Sequence, residues 1–267
     1  MNPKRALPGL ILLLLGAAVA ATPRESADQF VARINRELMA VDAEVQAAGW
    51  VEDTYITGDT ELLAASGADE VVVLPTAAAF EHPDRVADRA AAYLRSLGVG
   101  ARALMVLHRG EAEDAKTAES VRKSRFVYVA DGSPLHLRSV LKDSALFEAM
   151  LVAYHGGGVL AASGAGATLV CDPMVDPRGG AYTVGLGVVA GLAVFPYHGS
   201  AADHLRERSI DLLPDGARLV GIDEQTALVR DPSGGWRVAG AGAVTVYTGR
   251  DAARFDAGRV VEGLDGL

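Results

Sequence analysis

The sequence predicts an α/β protein in which helices sandwich a mostly parallel sheet, with antiparallel strands toward the C-terminus and one helix near the N-terminus. First, near-continuous Val/Leu runs such as residues 69–75 alternate with segments of helical periodicity, which is typical of a parallel sheet buried on both faces. Second, this alternation stops after residue 212, where two strand-like runs flank a Pro-Ser-Gly-Gly turn. Third, half of the 267 residues are apolar and 22% are charged, enough for a sizeable core.

The first 20 residues form a separate segment. Lys4 and Arg5 precede an apolar run at 10–15, and the segment ends in the small-x-small pattern Ala18-Val19-Ala20. This pattern predicts a secretory signal peptide rather than a stable membrane anchor, and therefore a secreted or periplasmic protein. Residues 27–49 then space apolar side chains three and four apart, which predicts one amphipathic helix.

The body is predicted to alternate strands and helices. The predicted strands are 69–75, 102–108, 125–130, 158–163 and 192–197. The predicted helices are 80–97, 111–123, one starting at Pro134 with Ser133 as its cap, 145–154 and 201–212. Antiparallel strands are predicted within 219–231 and 236–248, where Trp236, Val238, Val244 and Val246 would pack against the sheet.

Composition excludes several classes of partner and site. Counting 25 Lys and Arg against 34 Asp and Glu gives a net charge of −9 without a basic run, which argues against nucleic acids and anionic membrane surfaces. The single cysteine, Cys171, excludes an intramolecular disulfide and a Cys-rich zinc site. Neither a cofactor nor a metal site is predicted.

The segment 158–180 resembles a nucleophile elbow, in which a strand turns sharply into a helix and presents one reactive side chain. Gly164 stands where the nucleophile is expected, and Ser163 precedes it by one residue. The segment is therefore compatible with an active hydrolase that uses Ser163 or with a fold that has lost its nucleophile. Backbone N–H groups of Gly132 and Ala165 are the predicted donors to an oxyanion.

A general base and a carboxylate would complete such a site. His198 follows the apolar strand 192–197 and precedes a helix, so it is the candidate base, although a structural strand-end histidine is the alternative. Asp172 and Asp176 are the candidate carboxylates, and both precede prolines, where aspartate commonly starts turns. Cys171 is expected to be a buried structural thiol.

Residues 61–248 resemble the cyanophycinase/dipeptidase E family of serine peptidases. The resemblance rests on VVVLPTAAAFEHPDR, YVADGSPLHLRSVLKDS, VLAASGAGATLVCDPMVDPRGG and the His198 strand. It implies a fold like the class I glutamine amidotransferases and cleavage of dipeptides or polypeptides that contain acidic residues. When residues 162–167 are aligned with the family's elbow, Gly164 falls on the position of the nucleophilic serine. His198 matches the family's histidine base, and Asp176 is the preferred carboxylate of the catalytic triad. Ala130-Asp131-Gly132 departs from the family's glycine-rich oxyanion turn.

The N-terminal segment before Glu61, whose residues 21–60 we call the head, departs from the sequence pattern of this family. The opening strand of the family is missing, and the residues before Glu61 resemble the start of angiotensin-converting-enzyme-like zinc peptidyl dipeptidases. The zinc motif His-Glu-x-x-His of that group is absent from the sequence. The predicted organisation is therefore a signal peptide (1–20), a helical head (21–60), a peptidase-like α/β domain (61–250) and a C-terminal tail (251–267).

Three functional hypotheses follow. The chain is a serine peptidase-like hydrolase, impaired because Gly164 lacks the hydroxyl; a non-catalytic peptide-binding pseudoenzyme; or a nonfunctional fusion product. The expected ligand is a peptide or acidic dipeptide, and a homodimer is a further expected assembly. Export remains the prediction from the leader, although the family that the body resembles is usually cytoplasmic.

Overall fold

A computed structural model of the chain describes residues 59–267. The chain divides into two units, residues 1–47 and 48–267, and all described residues belong to the second. The predicted signal peptide, the predicted helix over 27–49 and the head up to residue 58 lie outside the described residues.

The first sheet is entirely parallel and has the strand order β2-β1-β3-β4. Its strands are β1 (Glu70–Leu74), β2 (Gly100–Ala103), β3 (Phe126–Val129) and β4 (Val159–Ala162). Val72 of β1 lies opposite Arg102 on one side and Val127 on the other. Four of the five β1 residues are buried, as expected for a central strand covered on both faces.

Helices cover both faces of this sheet. Within the described residues they are α1 (Asp59–Ser66), α2 (Pro83–Ser96), α3 (Arg109–Ala112), α4 (Ala115–Arg122), α5 (Pro134–Leu141), α6 (Ala145–His155), α7 (Ala165–Val170) and α8 (Asp203–Asp211). Val71 and Val73 pack with residues of α1 and α2, whereas Val72 and Leu74 pack with residues of α4, α5 and α6. The two-residue period of a strand separates these cores.

The second sheet has the order β14-β13-β10-β9-β5-β8. The remaining strands within residues 59–267 are β5 (Cys171–Asp172), β6 (Met174–Val175), β7 (Tyr182–Thr183), β8 (Val189–Ala190), β9 (Leu192–Phe195), β10 (Arg218–Ile222), β11 (Thr226–Arg230), β12 (Trp236–Gly240), β13 (Ala243–Thr248) and β14 (Asp251–Asp256). Strand β10 pairs parallel with β9 and antiparallel with β13, while β11 and β12 form a separate hairpin.

Several element boundaries differ from the predicted ones. The strand predicted over 102–108 ends at Ala103, and the helix predicted over 111–123 divides into α3 and α4, with Asp114 capping α4. Helix α2 begins at Pro83 instead of residue 80, because the residue before a proline disfavours helical angles. The predicted tail contains β14, which pairs with β13, and contributes buried Val261 and Leu264.

The predicted fold class is confirmed for the described residues: a parallel sheet between helices is followed by antiparallel strands, as in class I glutamine amidotransferase-like proteins. Trp236, Val238, Val244 and Val246 are buried in one cluster, as predicted. None of the helices within residues 59–267 is long and apolar enough to cross a bilayer.

Candidate functional site

The elbow forms where β4 meets α7. Ser163 and Gly164 join the two elements, and Gly164 adopts φ 46° and ψ −112° directly before Ala165. A residue with a Cβ is strained at such angles, whereas glycine adopts them freely. The turn is held by the Ser163 carbonyl, which accepts from Gly166 N at 2.8 Å, and by the Gly164 carbonyl, which accepts from Thr168 N at 3.0 Å.

The carboxylate of Asp131 fills the space beside Gly164. A Cβ built on Gly164 would lie 2.0 Å from both Cγ and Oδ1 of Asp131, far inside van der Waals contact. Asp131 follows the carboxyl end of β3, which is the neighbour of β4, so the parallel sheet brings the two positions to the same edge. Glycine at 164 and aspartate at 131 are therefore sterically complementary.

Both predicted oxyanion donors point at this carboxylate. Asp131 Oδ1 accepts from Ala165 N at 2.5 Å and from Gly132 N at 2.7 Å. Gly132 has φ 142°, and a Cβ there would lie 2.4 Å from the Ala77 carbonyl oxygen, so this turn requires glycine. The structure thus brings Gly132 and Ala165 together around one anionic oxygen, which belongs to the protein itself.

Tyr197 completes the group around the elbow. Its hydroxyl donates a short hydrogen bond to Asp131 Oδ2, and its own φ is 56°. We call Asp131, Gly132, Gly164, Ala165 and Tyr197 the elbow cluster.

Ser163 points to a different partner. Its Oγ lies 2.8 Å from Tyr128 Oη on β3. Successive side chains of an extended backbone alternate in direction, which explains why Ser163 diverges from the position after it. The alternative nucleophile is therefore not in hydrogen-bond contact with the candidate base.

His198 sits in a second, separate group of contacts. Its Nδ1 lies 3.2 Å from Asp223 Oδ1 and its Nε2 lies 2.8 Å from Tyr247 Oη. The ring is buried and lies over Gly221, where a Cβ would be 2.2 Å from His198 Cδ2. We call His198, Gly221, Asp223 and Tyr247 the histidine cluster.

The carboxylate beside His198 is Asp223, not Asp176. Asp223 Oδ2 also accepts from Ala243 N and Arg254 Nη2, each at 3.1 Å, which fixes the orientation of the carboxylate. Burial raises the pKa of Tyr247, so its hydroxyl stays protonated beside the imidazole at neutral pH.

The other candidate carboxylates and the thiol take part in local contacts. Asp176 binds the Arg178 guanidinium with Nη2–Oδ2 at 2.7 Å, and this side chain holds the pKa of Asp176 below its usual value. Asp172 Oδ1 accepts from Gly185 N at 2.9 Å. Burial raises the pKa of Cys171 to about 12, so this thiol is not a nucleophile at neutral pH.

Sequence reasoning missed four members of the two clusters: Asp131 as a site residue, Tyr197, Asp223 and Tyr247. Asp131 carried a visible signal, since it replaces a glycine in the predicted oxyanion turn. Asp223 follows the end of β10, another strand end at which ligands collect. The catalytic roles of Ser163, Gly164, His198 and Asp176 stay predictions. Among residues 59–267, no three His, Cys, Asp or Glu side chains cluster as potential metal ligands.

The geometry defines an α/β protein with a sharp strand-to-helix turn at the edge of a parallel sheet, and comparisons with known proteins give its family. Residues 54–234 match the description "Peptidase family S51", so the chain belongs to peptidase family S51. Comparison with curated proteins finds no match.

Two solved structures are similar to the chain. The first is a peptidase from an acI-B1 actinobacterium, 25% identical, with a TM-score of 0.69; the match covers 78% of this chain and 92% of that one. The second, assigned as a peptidase E protein of Listeria monocytogenes EGD-e, is 17% identical with a TM-score of 0.52 and supports the fold alone; the match covers 77% of this chain and 94% of that one.

Proposed function

We propose that this member of peptidase family S51 binds peptides at the elbow without hydrolysing them through a serine nucleophile. The observation that carries the proposal is the Asp131 carboxylate, which occupies both the volume of any side chain at 164 and the two oxyanion donors. The peptide as ligand class follows from membership of a peptidase family.

Serine hydrolysis needs a hydroxyl, a base in contact with it and free donors for the developing oxyanion. Here Gly164 has no hydroxyl, and Ser163 is hydrogen-bonded to Tyr128. Nδ1 of His198 contacts Asp223, as in a histidine–carboxylate pair, but Nε2, the nitrogen that would face a nucleophile, contacts Tyr247 instead of a hydroxyl at the elbow. Each of the three requirements is therefore unmet in this arrangement.

The occupied donors add a further barrier. A single oxyanion-hole donor typically contributes about 10²–10³-fold to kcat. Ala165 N and Gly132 N are both satisfied by Asp131, so a substrate carbonyl would have to displace a carboxylate before it could be polarised. This arrangement supports retention of a cleft and loss of turnover.

Export and assembly belong to the same proposal. The predicted leader would deliver the protein to the periplasm or the exterior, and a homodimer is the proposed assembly. Acidic dipeptides, which the family resemblance implies, are the first ligands to test.

Two measurements test the proposal on the full chain. We expect no release of amino acids from Asp-containing dipeptides and no fluorophosphonate labelling, with Ser163→Ala as the matched control. Labelling that disappears in Ser163→Ala, together with hydrolysis, would show an active enzyme and overturn the proposal.

A thermal melt separates the proposal from the third hypothesis, a nonfunctional fusion product. The buried clusters of both sheets predict one cooperative transition for the described part of the chain. A melt without a cooperative transition would favour the fusion product.

A further inference from the structure

The elbow cluster and the histidine cluster are joined by two consecutive residues, Tyr197 and His198. Tyr197 belongs to the elbow cluster through its hydroxyl, which donates to Asp131 Oδ2. His198 belongs to the histidine cluster through both ring nitrogens, which contact Asp223 and Tyr247. The two residues lie in the turn that leads from β9 to α8. A change in the backbone at Tyr197 can therefore alter both clusters.

The backbone of Tyr197 is held in a conformation that its side chain disfavours. Its φ is 56°, in the left-handed region, where the Cβ of a residue comes too close to the following carbonyl oxygen. This state is rare for a bulky side chain, and forbidden angles separate it from the extended and right-handed regions. Tyr197 therefore has discrete alternative conformations, and the contacts that stabilise the left-handed one decide its population.

One such contact is the hydrogen bond from Tyr197 to Asp131. The accepting carboxylate is itself fixed, because its Oδ1 accepts from Gly132 N at 2.7 Å and from Ala165 N at 2.5 Å. Hydrogen bonds to an ionised group are about twice as strong as those between neutral groups. The bond to Asp131 therefore opposes the backbone cost at Tyr197 and stabilises the left-handed conformation.

The peptide unit between Tyr197 and His198 depends on this conformation. Its carbonyl oxygen accepts from Ala201 N at 2.8 Å, and its N–H donates to the Ile222 carbonyl at 2.9 Å. Rotation of Tyr197 out of the left-handed region would turn this peptide unit and disturb both hydrogen bonds. It would also move the Cα of His198, from which the imidazole projects.

The ring of His198 has little room for such a movement. It is buried and lies over Gly221, where a Cβ would be only 2.2 Å from Cδ2 of the ring. Its two nitrogens are positioned by Asp223 Oδ1 at 3.2 Å and by Tyr247 Oη at 2.8 Å. Because a close-packed interior transmits strain, a displaced Cα would lengthen or break at least one of these two contacts.

We propose that Tyr197 couples the elbow cluster to the histidine cluster: its hydrogen bond to Asp131 fixes the backbone that positions the His198 ring. Asp131 is then a positioning residue for an imidazole to which no hydrogen bond or ion pair joins it within residues 59–267. The left-handed state of Tyr197 is the two-state element that such coupling requires. The inference goes beyond the proposed function and does not depend on it, because the coupling is internal to the chain.

The test measures the ¹⁵N chemical shifts of the His198 ring in the full chain, with His198→Gln used to assign the signals. Tyr197→Phe keeps the aromatic ring and removes the hydroxyl. Asp131→Asn keeps the shape of the side chain, but with its oxygen on the two backbone N–H groups it presents an NH₂ group to Tyr197. We expect both variants to shift the Nδ1 and Nε2 signals of His198. The double variant should shift them no further than Tyr197→Phe alone, because both changes act through one hydrogen bond.

Hydrogen exchange of the His198 amide gives a second readout. This N–H donates to the Ile222 carbonyl, so we expect it to exchange about tenfold faster in Tyr197→Phe than in the unsubstituted chain. The amides within β10 should keep their exchange rates, which separates a local change from a general loss of stability. If Tyr197→Phe does not fold, Asp131→Asn provides both readouts.

Tyr128→Phe is the matched control. It makes the same chemical change beside the elbow, but the hydroxyl that it removes lies 2.8 Å from Ser163 Oγ and is not bonded to Asp131. It should leave the ring signals and the amide exchange rate of His198 unchanged.

Three results would overturn the inference. His198 signals that stay in place in Tyr197→Phe or in Asp131→Asn would show that the turn positions the ring without the bond to Asp131. Equal shifts in Tyr128→Phe would show a general response to changes at the elbow, and additive shifts in the double variant would show two independent routes. Each of these results leaves the proposed function standing, because peptide binding is measured separately with dipeptides.

Discussion

The elbow cluster and the histidine cluster are built in the same way but have different consequences. In each, a glycine without a Cβ makes room for a side chain from elsewhere: Gly164 for the Asp131 carboxylate and Gly221 for the His198 ring. In the histidine cluster this preserves a histidine–carboxylate pair, His198 with Asp223. In the elbow cluster it places an anion on the donors that a reaction would need.

The comparison shows that the two clusters place a carboxylate differently: beside an imidazole in the histidine cluster, and on two backbone N–H groups in the elbow cluster. At the elbow, the Asp131 carboxylate fills the volume that a side chain at 164 would need, so the two positions depend on each other. A side chain introduced at 164 alone would therefore overlap Asp131.

The largest effect is expected from Gly164→Ser. The new Cβ meets the Asp131 carboxylate at 2.0 Å, and the residue is strained at φ 46°. Overpacking and backbone strain each cost about 1–3 kcal/mol, so we expect the free energy of unfolding to fall by about 3 kcal/mol. Urea denaturation measures this change in the free energy of unfolding. Gly179→Ser is the matched control, because a Cβ at Gly179 meets open space.

The double variant Asp131→Gly/Gly164→Ser tests the coupling. Removing the carboxylate removes the clash, so the double variant should be more stable than the sum of the two single changes predicts, by about 1–3 kcal/mol. Additive effects would contradict the steric complementarity of the two positions. The double variant should still hydrolyse peptides poorly, because Nε2 of His198 contacts the Tyr247 hydroxyl and not residue 164.

A smaller effect is expected from Gly221→Ala in the histidine cluster. Its Cβ would lie 2.2 Å from His198 Cδ2, so the ring must move, at a cost of about 1–3 kcal/mol. Gly179→Ala is the control. When His198 is also replaced by alanine, the stability cost of Gly221→Ala should largely disappear. A cost of unchanged size would show that it does not arise from contact with the His198 ring.

The next prediction concerns which carboxylate serves His198. We expect Asp223→Asn to change the ¹⁵N chemical shift of His198 Nδ1, since the Oδ1–Nδ1 contact is 3.2 Å. Asp176→Asn should leave that signal unchanged, because Asp176 binds Arg178. The reverse pattern in these spectra would restore Asp176 as the third member of a triad.

Much of the fold was predictable because the strands carry continuous apolar runs. The exception is the run 102–108, which leaves the sheet after Ala103. In the described part of the chain, β2 pairs with β1 alone, and the last hydrogen bond between them runs from Leu104 N to the Val73 carbonyl. Beyond this point β1 ends and the chain turns into the short helix Thr76–Ala78, so the apolar run has no strand to pair with.

The site was predictable only where the signal is local. The small residues after β4 identify the elbow, and Gly132 and Ala165 follow from neighbouring turns. The partners of these groups are distant in sequence: Asp131 is 34 residues from Ala165 and 66 from Tyr197. Such pairs depend on strand order and side-chain rotamers, which a single sequence does not reveal.

The last and smallest effect uses pH to separate Asp176 from the histidine cluster. The Arg178 guanidinium lowers the pKa of Asp176 in the folded protein, so this carboxylate contributes stability above its unfolded pKa of about 4, which is lost as pH falls through the folded pKa. Arg178→Gln should raise the Asp176 pKa measured by NMR. The stability difference from the unsubstituted chain should be constant above about pH 5 and shrink at lower pH.

His198→Gln is the matched comparison for this titration. The hydrogen bonds of Asp176 go to Arg178 and those of His198 to Asp223 and Tyr247, so this variant should leave the Asp176 titration in place. A shift of the Asp176 titration on His198→Gln, with none on Arg178→Gln, would mean that the two groups interact directly. The histidine cluster would then extend to Asp176, and its separation from the rest of the candidate site would no longer hold.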